Sequence, residues 1–481
     1  MQRLRKLFAP RDMTQGPPWK SILGFALPML IGNVAQQLYA STDSVVVGRY
    51  VGDNALASVG SSGPILMFMI ALFIGISTGA GILVSQTYGA RDRNLLSIAI
   101  GNCISLTAIV SFFIMVLGIW LSPMMLRALN TPEVIIQDAT AYLQIYFLGI
   151  FGFTYYNVLS GILRGLGDSF SALGFLLLTS ALNIVLDLWF VIGFGWGVAG
   201  VAWATIISQT VSAILCYFKL SRMRETFDIR PATLKLHKAT VKDIIRLGMP
   251  SGLTQAIFSS AMILVQRLQN SFGPEIVATI IITMRVDGFA MMPNFSFGMA
   301  MTTFTGQNVG ARRLDRARQG AAQGTLMAVL VAATMTIIVL LFGRPIMSMF
   351  TRTATIIDRG MRFIRILSLG YIGMAVLQSL SGVMRGAGDA MTPMWISLIT
   401  SVALRVPLSY LLVELSKTPE QPLGQSEMIY YAVLATWMAG ALINYLAYRY
   451  GRWRRRAQER MDSLDAQSRE AAAEFAAMDS V

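Results

Sequence analysis

The chain has 481 residues, of which 54% are hydrophobic and 13% charged, where soluble proteins carry about 25% charged residues. That balance excludes a disordered chain, which needs low hydrophobicity and high charge density. It also leaves too little polar surface for a soluble enzyme of this size. The net charge of +14 is a balance that suits nucleic acid, but the basic residues sit in a few short loops and the two tails. The expected partner is therefore membrane lipid, not nucleic acid.

In chain order, an N-terminal tail over 1–20 carries Arg3, Arg5, Lys6, Arg11 and Lys20. The first apolar run is too long for a signal-peptide core and is read as a retained span. Twelve apolar segments of spanning length are predicted: 21–48, 54–86, 95–121, 134–158, 169–192, 198–219, 243–271, 276–307, 318–343, 357–382, 391–414 and 427–449. Continuous apolar runs of this length, not short alternating segments, predict an all-α integral membrane protein and exclude an outer-membrane barrel. Spans 1–6 form an N-lobe over 21–219, a polar loop covers 220–242, spans 7–12 form a C-lobe over 243–449, and a tail fills 450–481. In that tail Arg452–Arg456 form a basic cluster suited to anionic headgroups. The residues beyond it read as a helix or a disordered end, with no assigned role in transport.

Alternate connections differ in charge. The set holding both tails carries about 28 of the 39 Lys and Arg, and the opposite set about seven. Both termini are therefore expected on the cytoplasmic side. Cys103 and Cys216 lie inside apolar spans and read as small core residues. The single histidine, His237, lies in the basic 219–246 loop, so His-based metal or triad chemistry has almost no material. No phosphate-binding GxxxxGK[ST] sequence occurs, and neither an enzyme nor a cofactor is expected.

The halves repeat. Gln86-Thr87-Tyr88-Gly89-Ala90-Arg91 is echoed by Gln307-Asn308-Val309-Gly310-Ala311-Arg312, and the Arg164-Gly165-Leu166-Gly167-Asp168 loop by Arg385-Gly386-Ala387-Gly388-Asp389, both at an offset of 221 residues. Each half has an even number of spans, so both start on the same side. The predicted architecture is two six-helix lobes related by a parallel pseudo-twofold repeat, an arrangement typical of secondary transporters.

Carboxylates inside spans are costly and mark functional sites. Asp43 falls ~10 Å below the outer end of span one, at 1.5 Å per residue. Asp187 falls at similar depth in span five, and Asn183, four residues earlier, shares its helix face. Tyr142 in span four and Thr205 in span six fall in the same layer. Asp43, Tyr142, Asn183, Asp187 and Thr205 thus predict a polar pocket in the outer half of the N-lobe. Two carboxylates in a low-dielectric cavity repel, so such a pair favours uptake of a proton or of a sodium ion held by Asp43, Asn183 and Asp187. Pro28 predisposes span one to kink, as a conformational element. Asp168 and Asp389 read as helix caps. The C-lobe has Val265 and Leu408 at the offset positions of Asp43 and Asp187. Its intramembrane charges are Arg285, Asp287, Arg362, Arg365 and Arg405, and Arg285, Asp287 and Arg405 form a second candidate charged set. Asp287 reads either as a coupling acid or as a structural ion-pair partner of Arg405. Met291, Met292, Met299 and Met301 crowd span eight, which suits an adaptable apolar surface or helix packing.

Leu27-Pro28, Asp43-Ser44-Val45-Val46-Val47-Gly48-Arg49, Gln86…Gly89-Ala90 and the doubled Arg-Gly-x-Gly-Asp loop resemble the multidrug and toxic compound extrusion (MATE) exporters over residues 20–450. The resemblance implies a twelve-helix antiporter exchanging organic cations for protons or sodium. It places Asp43, Tyr142, Asn183, Asp187 and Thr205 at the cation-coupling positions of the DinF-like branch. The expected function is export of amphipathic, cationic small molecules by alternating access, as a monomer in a bacterial inner membrane. The coupling ion stays open between proton and sodium. The alternative is a flippase of a lipid or lipid-linked saccharide, which the C-lobe arginines keep in play.

Overall fold

The computed structural model describes residues 10–479, with the side chains of residues 39–49, 53, 54, 56 and 474–479 outside the description. The described residues are helical almost throughout. The order is α1 (Pro18–Tyr50), α2 (Asp53–Gly89), α3 (Arg93–Ala128), α4 (Glu133–Leu148), α5 (Ile150–Gly165), α6 (Ser169–Leu188), α7 (Gly197–Ser221), α8 (Lys238–Asn270), α9 (Pro274–Gly310), α10 (Leu314–Ser348), α11 (Ala354–Gly386), α12 (Met391–Leu398), α13 (Arg405–Leu415), α14 (Glu427–Tyr450) and α15 (Trp453–Asp479). A π-helical segment, Trp189–Gly193, extends α6, and another, Ile399–Leu404, joins α12 to α13. Among the described residues, eleven helices or helix combinations are long and apolar enough to cross a membrane, and α4 with α5, taken as one bent span, makes twelve. The protein is an all-α integral membrane protein of two six-span halves.

The predicted fourth span is the one that differs in shape. Its two pieces meet at Gly149 with a bend of 50°. A side chain at Gly149 would run into Ile206 on α7, so the glycine permits both the break and the close approach of its neighbour.

The repeat is written into the backbone. Gly52 and Gly273, Arg91 and Arg312, and Gly167 and Gly388 all adopt positive φ, each pair at the 221-residue offset. Asp92 caps α3 by accepting the Leu95 N–H at 2.9 Å. Asp168 caps α6 by accepting from Ser171 N–H and Oγ at 2.9 and 2.7 Å, and Asp389 accepts from Thr392 Oγ1 at 2.8 Å. Capping supplies partners for the first-turn N–H groups, which have none inside the helix.

The chain divides into two compact units. The first comprises residues up to Asp12, Ile31–Gly252 and the residues from Ser463 onward; the second comprises Met13–Leu30 and Leu253–Asp462. These limits differ from the predicted lobes, because side-chain packing does not follow chain order. In the second unit, Met13, Ile22, Phe25, Ala26 and Met29 enter the core formed by Met301, Phe304, Ala321 and Ala328. In the first unit, Gly79 of α2 lies against the Ile244 carbonyl and Gly248 of α8, and Gly75 lies against Gly248 and Gly252. The opening stretch of each half is therefore built into the unit formed mainly by the other half.

Both opening stretches are tied down by hydrogen bonds between their backbone and side chains of other elements. In the second unit Gln307 Oε1 accepts the Met13 N–H at 2.8 Å. Arg316 donates to the carbonyls of Met13, Gln15 and Gly16 at 3.1, 2.7 and 2.7 Å. In the first unit Asn102 accepts the His237 N–H at 2.7 Å and donates to the Lys235 carbonyl at 3.0 Å. The C-terminal tail is a helix, with Trp453, Ala457 and Met461 in the second unit's core. Further along, Gln467 donates to Asp243 at 2.9 Å, and Ser468 bonds Asp92, within the first unit.

Candidate functional site

α6 carries Asn183 and Asp187 one turn apart, so both leave the helix on one face. Each is only 1% exposed. With the amide nitrogen turned to the carboxylate, Asn183 Nδ2 donates to Asp187 Oδ2 at 2.9 Å and its oxygen accepts the Thr205 backbone N–H at 3.2 Å. In the opposite orientation Nδ2 reaches only Thr205 Oγ1, at 3.5 Å, so the first orientation satisfies the buried amide better. Thr205 is half-buried on α7. Tyr142 on α4 is buried in a small core with Val191, Val198, Val201 and Ala202, contributed by the two helices that carry the other three residues. The Asp43 backbone lies in α1, and its side chain lies outside the described residues.

The first unit thus brings Asn183, Asp187 and Thr205 into one hydrogen-bonded set, with Tyr142 in the adjoining core. A carboxylate removed from water is costly unless it is hydrogen-bonded, neutralised or paired with a cation. The Asn183 amide meets part of that cost. Carboxylate, amide and hydroxyl oxygens are the hard donors that suit sodium, and the same carboxylate can take a proton. No group of three or more His, Cys, Asp or Glu able to hold a metal ion occurs among the described residues. The π-helical segment Trp189–Gly193 begins two residues after Asp187. Such segments are frequent at functional sites, and nothing in the sequence announces this one.

Pro28 lies inside α1, which continues through it, and is buried in the second unit.

The second unit arranges its charges differently from expectation. Asp287 of α9 and Arg405 of α13 lie within electrostatic reach of one another, but no ion pair within 4.0 Å joins them among the described residues. Arg405, 5% exposed, instead donates from Nε to Thr436 Oγ1 at 3.2 Å and stacks over the Phe258 ring at 5.9 Å. Of the two readings of Asp287, the structure does not form the direct ion pair with Arg405: Thr436 and an aromatic face take the guanidinium. Arg285 points to the exposed side of α9 and does not join this set, as expected of two positions that do not share a helix face. Arg362 pairs with Glu427, its Nε 3.2 Å from Oε1, at the opening turn of α14.

Two residues that sequence reasoning missed complete the set. Tyr371 is fully buried with its hydroxyl beside Asp287, and Tyr430 is buried with its ring stacked on Phe363 at 4.2 Å. Buried tyrosines on separate helices carry no spacing signal, so only the packing of α9, α11 and α14 reveals them.

Twelve spans in two repeated halves, with a polar set buried inside one of them, define a membrane transporter and not an enzyme. The MatE family model matches residues 28–189 and 250–411, once in each half, and the chain belongs to the MatE family. It is similar to a Bacillus subtilis protein named "Probable multidrug resistance protein YpnP", with 28% identity over 92% of this chain and 97% of that one. It is also similar to the Thermotoga maritima "Probable multidrug resistance protein NorM", with 29% identity over 82% and 86%. Among solved structures, "Crystal structure of MATE in complex with MaL6" matches in fold with a TM-score of 0.85 at 24% identity, covering 95% of this chain and 99% of that one.

Proposed function

We propose that this protein exports amphipathic, cationic small molecules by alternating access, in exchange for protons or sodium. The observation that carries this reading is the buried, hydrogen-bonded Asn183–Asp187–Thr205 set, whose oxygens suit a proton or a hard cation. Asp43, Tyr142, Asn183, Asp187 and Thr205 serve as the coupling group. When the group is empty, its negative charge favours an organic cation. When it holds a proton or sodium, that attraction is lost and the substrate leaves. Pro28 gives α1 the flexibility to follow the change, since proline removes one helical hydrogen bond. The names of the relatives, multidrug resistance proteins, support the substrate class. The protein works as a monomer in a bacterial inner membrane, with both termini cytoplasmic, as the loop charges favour.

A flippase for an anionic headgroup would need convergent free arginines. Arg362 is engaged by Glu427 and Arg405 by Thr436, which leaves Arg285 and Arg365, both exposed. The deciding experiment is uptake of a fluorescent organic cation by proteoliposomes under a proton or a sodium gradient, imposed separately. Flux driven by one gradient and lost in Asp43→Asn names the coupling ion and supports the exporter. Folded protein with no flux under either gradient, together with translocation of a labelled anionic lipid, overturns it in favour of the flippase.

A further inference from the structure

We propose that the first unit holds a binding site for the phosphate headgroup of an anionic phospholipid, at the end of α7 where the chain turns into the connection before α8. A pocket of about 390 Å³ opens there, lined by Tyr217, Leu220 and Ser221 from the helix and by Arg224, Asp228 and Arg230 from the connection. Its volume falls within the range of sites for small ligands.

The walls are fixed by hydrogen bonds and packing. Arg93 donates to the Arg224 carbonyl at 2.6 Å and to Asp228 Oδ1 at 3.2 Å. The Asp228 N–H donates to Ser97 Oγ at 2.9 Å. Phe227, between the two arginines, is buried with Cys216 and Leu220. The connection is therefore held in one shape, and the arginines are presented from a rigid base.

The charge balance favours an anion. Asp228 is the one acid lining the pocket, and Arg93 and Arg230 lie 3.2 and 3.5 Å from its carboxylate. Among the described residues the Arg224 guanidinium has no ion-pair partner, so the pocket keeps a net positive charge. Tyr217 and Leu220 line its helix side. Tyr217, and Phe218 next to it in the chain, are exposed at the end of a span, where aromatic side chains sit at headgroup depth. A guanidinium pair beside an apolar wall matches a phosphodiester with acyl chains, and basic pockets at span ends bind such headgroups. A free phosphate would use the arginines but gain nothing from the wall.

The test uses the purified full-length protein in detergent, with phosphatidylglycerol, phosphatidylcholine or inorganic phosphate added separately. Bound lipid is counted by native mass spectrometry and thermal stability is followed in parallel. Phosphatidylglycerol should be retained and raise the melting temperature, while phosphatidylcholine should not. The double variant Arg224→Gln/Arg230→Gln should lose retention by roughly tenfold or more, with an unchanged melting temperature in lipid-free detergent. Arg224→Lys should keep most of it. Equal retention by the wild type and the double variant overturns the proposal. So does stabilisation by inorganic phosphate equal to that by phosphatidylglycerol, which would leave a phosphate site with no role for the acyl chains. If the double variant is destabilised without lipid, Tyr217→Ala becomes the deciding change: retention reduced supports the site, and retention unaltered overturns it.

Discussion

The two units share a backbone plan and differ in what they bury. The close helix pair α2–α5 in the first unit corresponds to α9–α11 in the second. A side chain at Gly165 would meet the Gly81 carbonyl at 2.6 Å, and one at Gly386 would run into the Thr302 carbonyl; both pairs lie at the same 221-residue offset. Against that constancy, the polar interior is not repeated. Asn183 and Asp187 correspond to Leu404 and Leu408, and Tyr142 to Phe363. In return Asp287, Tyr371 and Arg405 correspond to Leu66, Ile150 and Ile184. On the α5 and α11 side of this approach a Cβ would strike a backbone carbonyl, and glycine stands in both halves; the facing position is Gly81 in one and Thr302 in the other. Buried polar groups are costly everywhere, so each unit keeps only those it uses. One unit holds an uncharged amide against a carboxylate. The other holds a carboxylate and a guanidinium without direct contact.

That contrast can be broken experimentally, starting with its largest consequence. Asp187→Asn should reduce gradient-driven flux at least tenfold, to the level of empty vesicles, because the neutral amide takes up no proton and brings no negative charge to hold a cation. Asp287→Asn should retain most of the flux if coupling belongs to the first unit. Similar losses in both, measured in the same proteoliposome assay, would mean that both units couple.

The shared backbone predicts the next effect. Gly165→Ala and Gly386→Ala should each destabilise the protein by about 1–3 kcal/mol, the usual cost of overpacking. Thermal denaturation in detergent should show similar falls for the two. A fall in only one would mean that the equivalent contacts carry unequal weight.

The tied-down opening stretches give a smaller, local effect. Arg316→Gln removes a charged donor from three carbonyls, each such bond contributing about 1.5–3 kcal/mol. Hydrogen exchange at Thr14, Gln15 and Gly16 should accelerate more than tenfold while exchange at residues 234–237 stays as it was. Asn102→Ala should do the reverse. The smallest effect is expected at Arg285, whose exposed side chain makes Arg285→Gln a change within about 0.5 kcal/mol in thermal stability. A larger fall would show that this arginine has a packing role.

Much of the fold was legible because apolar length and loop charge are local properties. The twelve predicted segments coincide with the twelve observed spans, which mostly run a few residues longer at each end. The helix cap Asp168 was legible for the same reason, since its bonds to Ser171 lie within its own first turn. The bend at Gly149 was not, because glycine in a membrane helix signals packing as often as a break, and Ile206 on another helix decides between them. In the site, Asn183 and Asp187 share a face by spacing alone, whereas Thr205 meets Asn183, and Tyr142 enters the adjoining core, only through the arrangement of α4, α6 and α7. Tyr371, Tyr430 and Thr436 had no signal in the sequence, whereas the two-residue spacing of Arg285 and Asp287 already puts them on different helix faces.

The sequence by itself determined that this chain spans a membrane twelve times, that its halves are duplicates, and that carboxylates lie inside it. Each of these follows from composition, spacing or repetition along one dimension. Only the tertiary structure decided that Asp187 is held by Asn183, that Arg405 turns to Thr436 and Phe258, and that the opening stretch of each half is built into the opposite unit. The reason is physical: hydrogen bonds and close packing act over a few ångströms between residues that can be hundreds of positions apart. The Met13–Gln307 bond is one such case, and no local pattern encodes it.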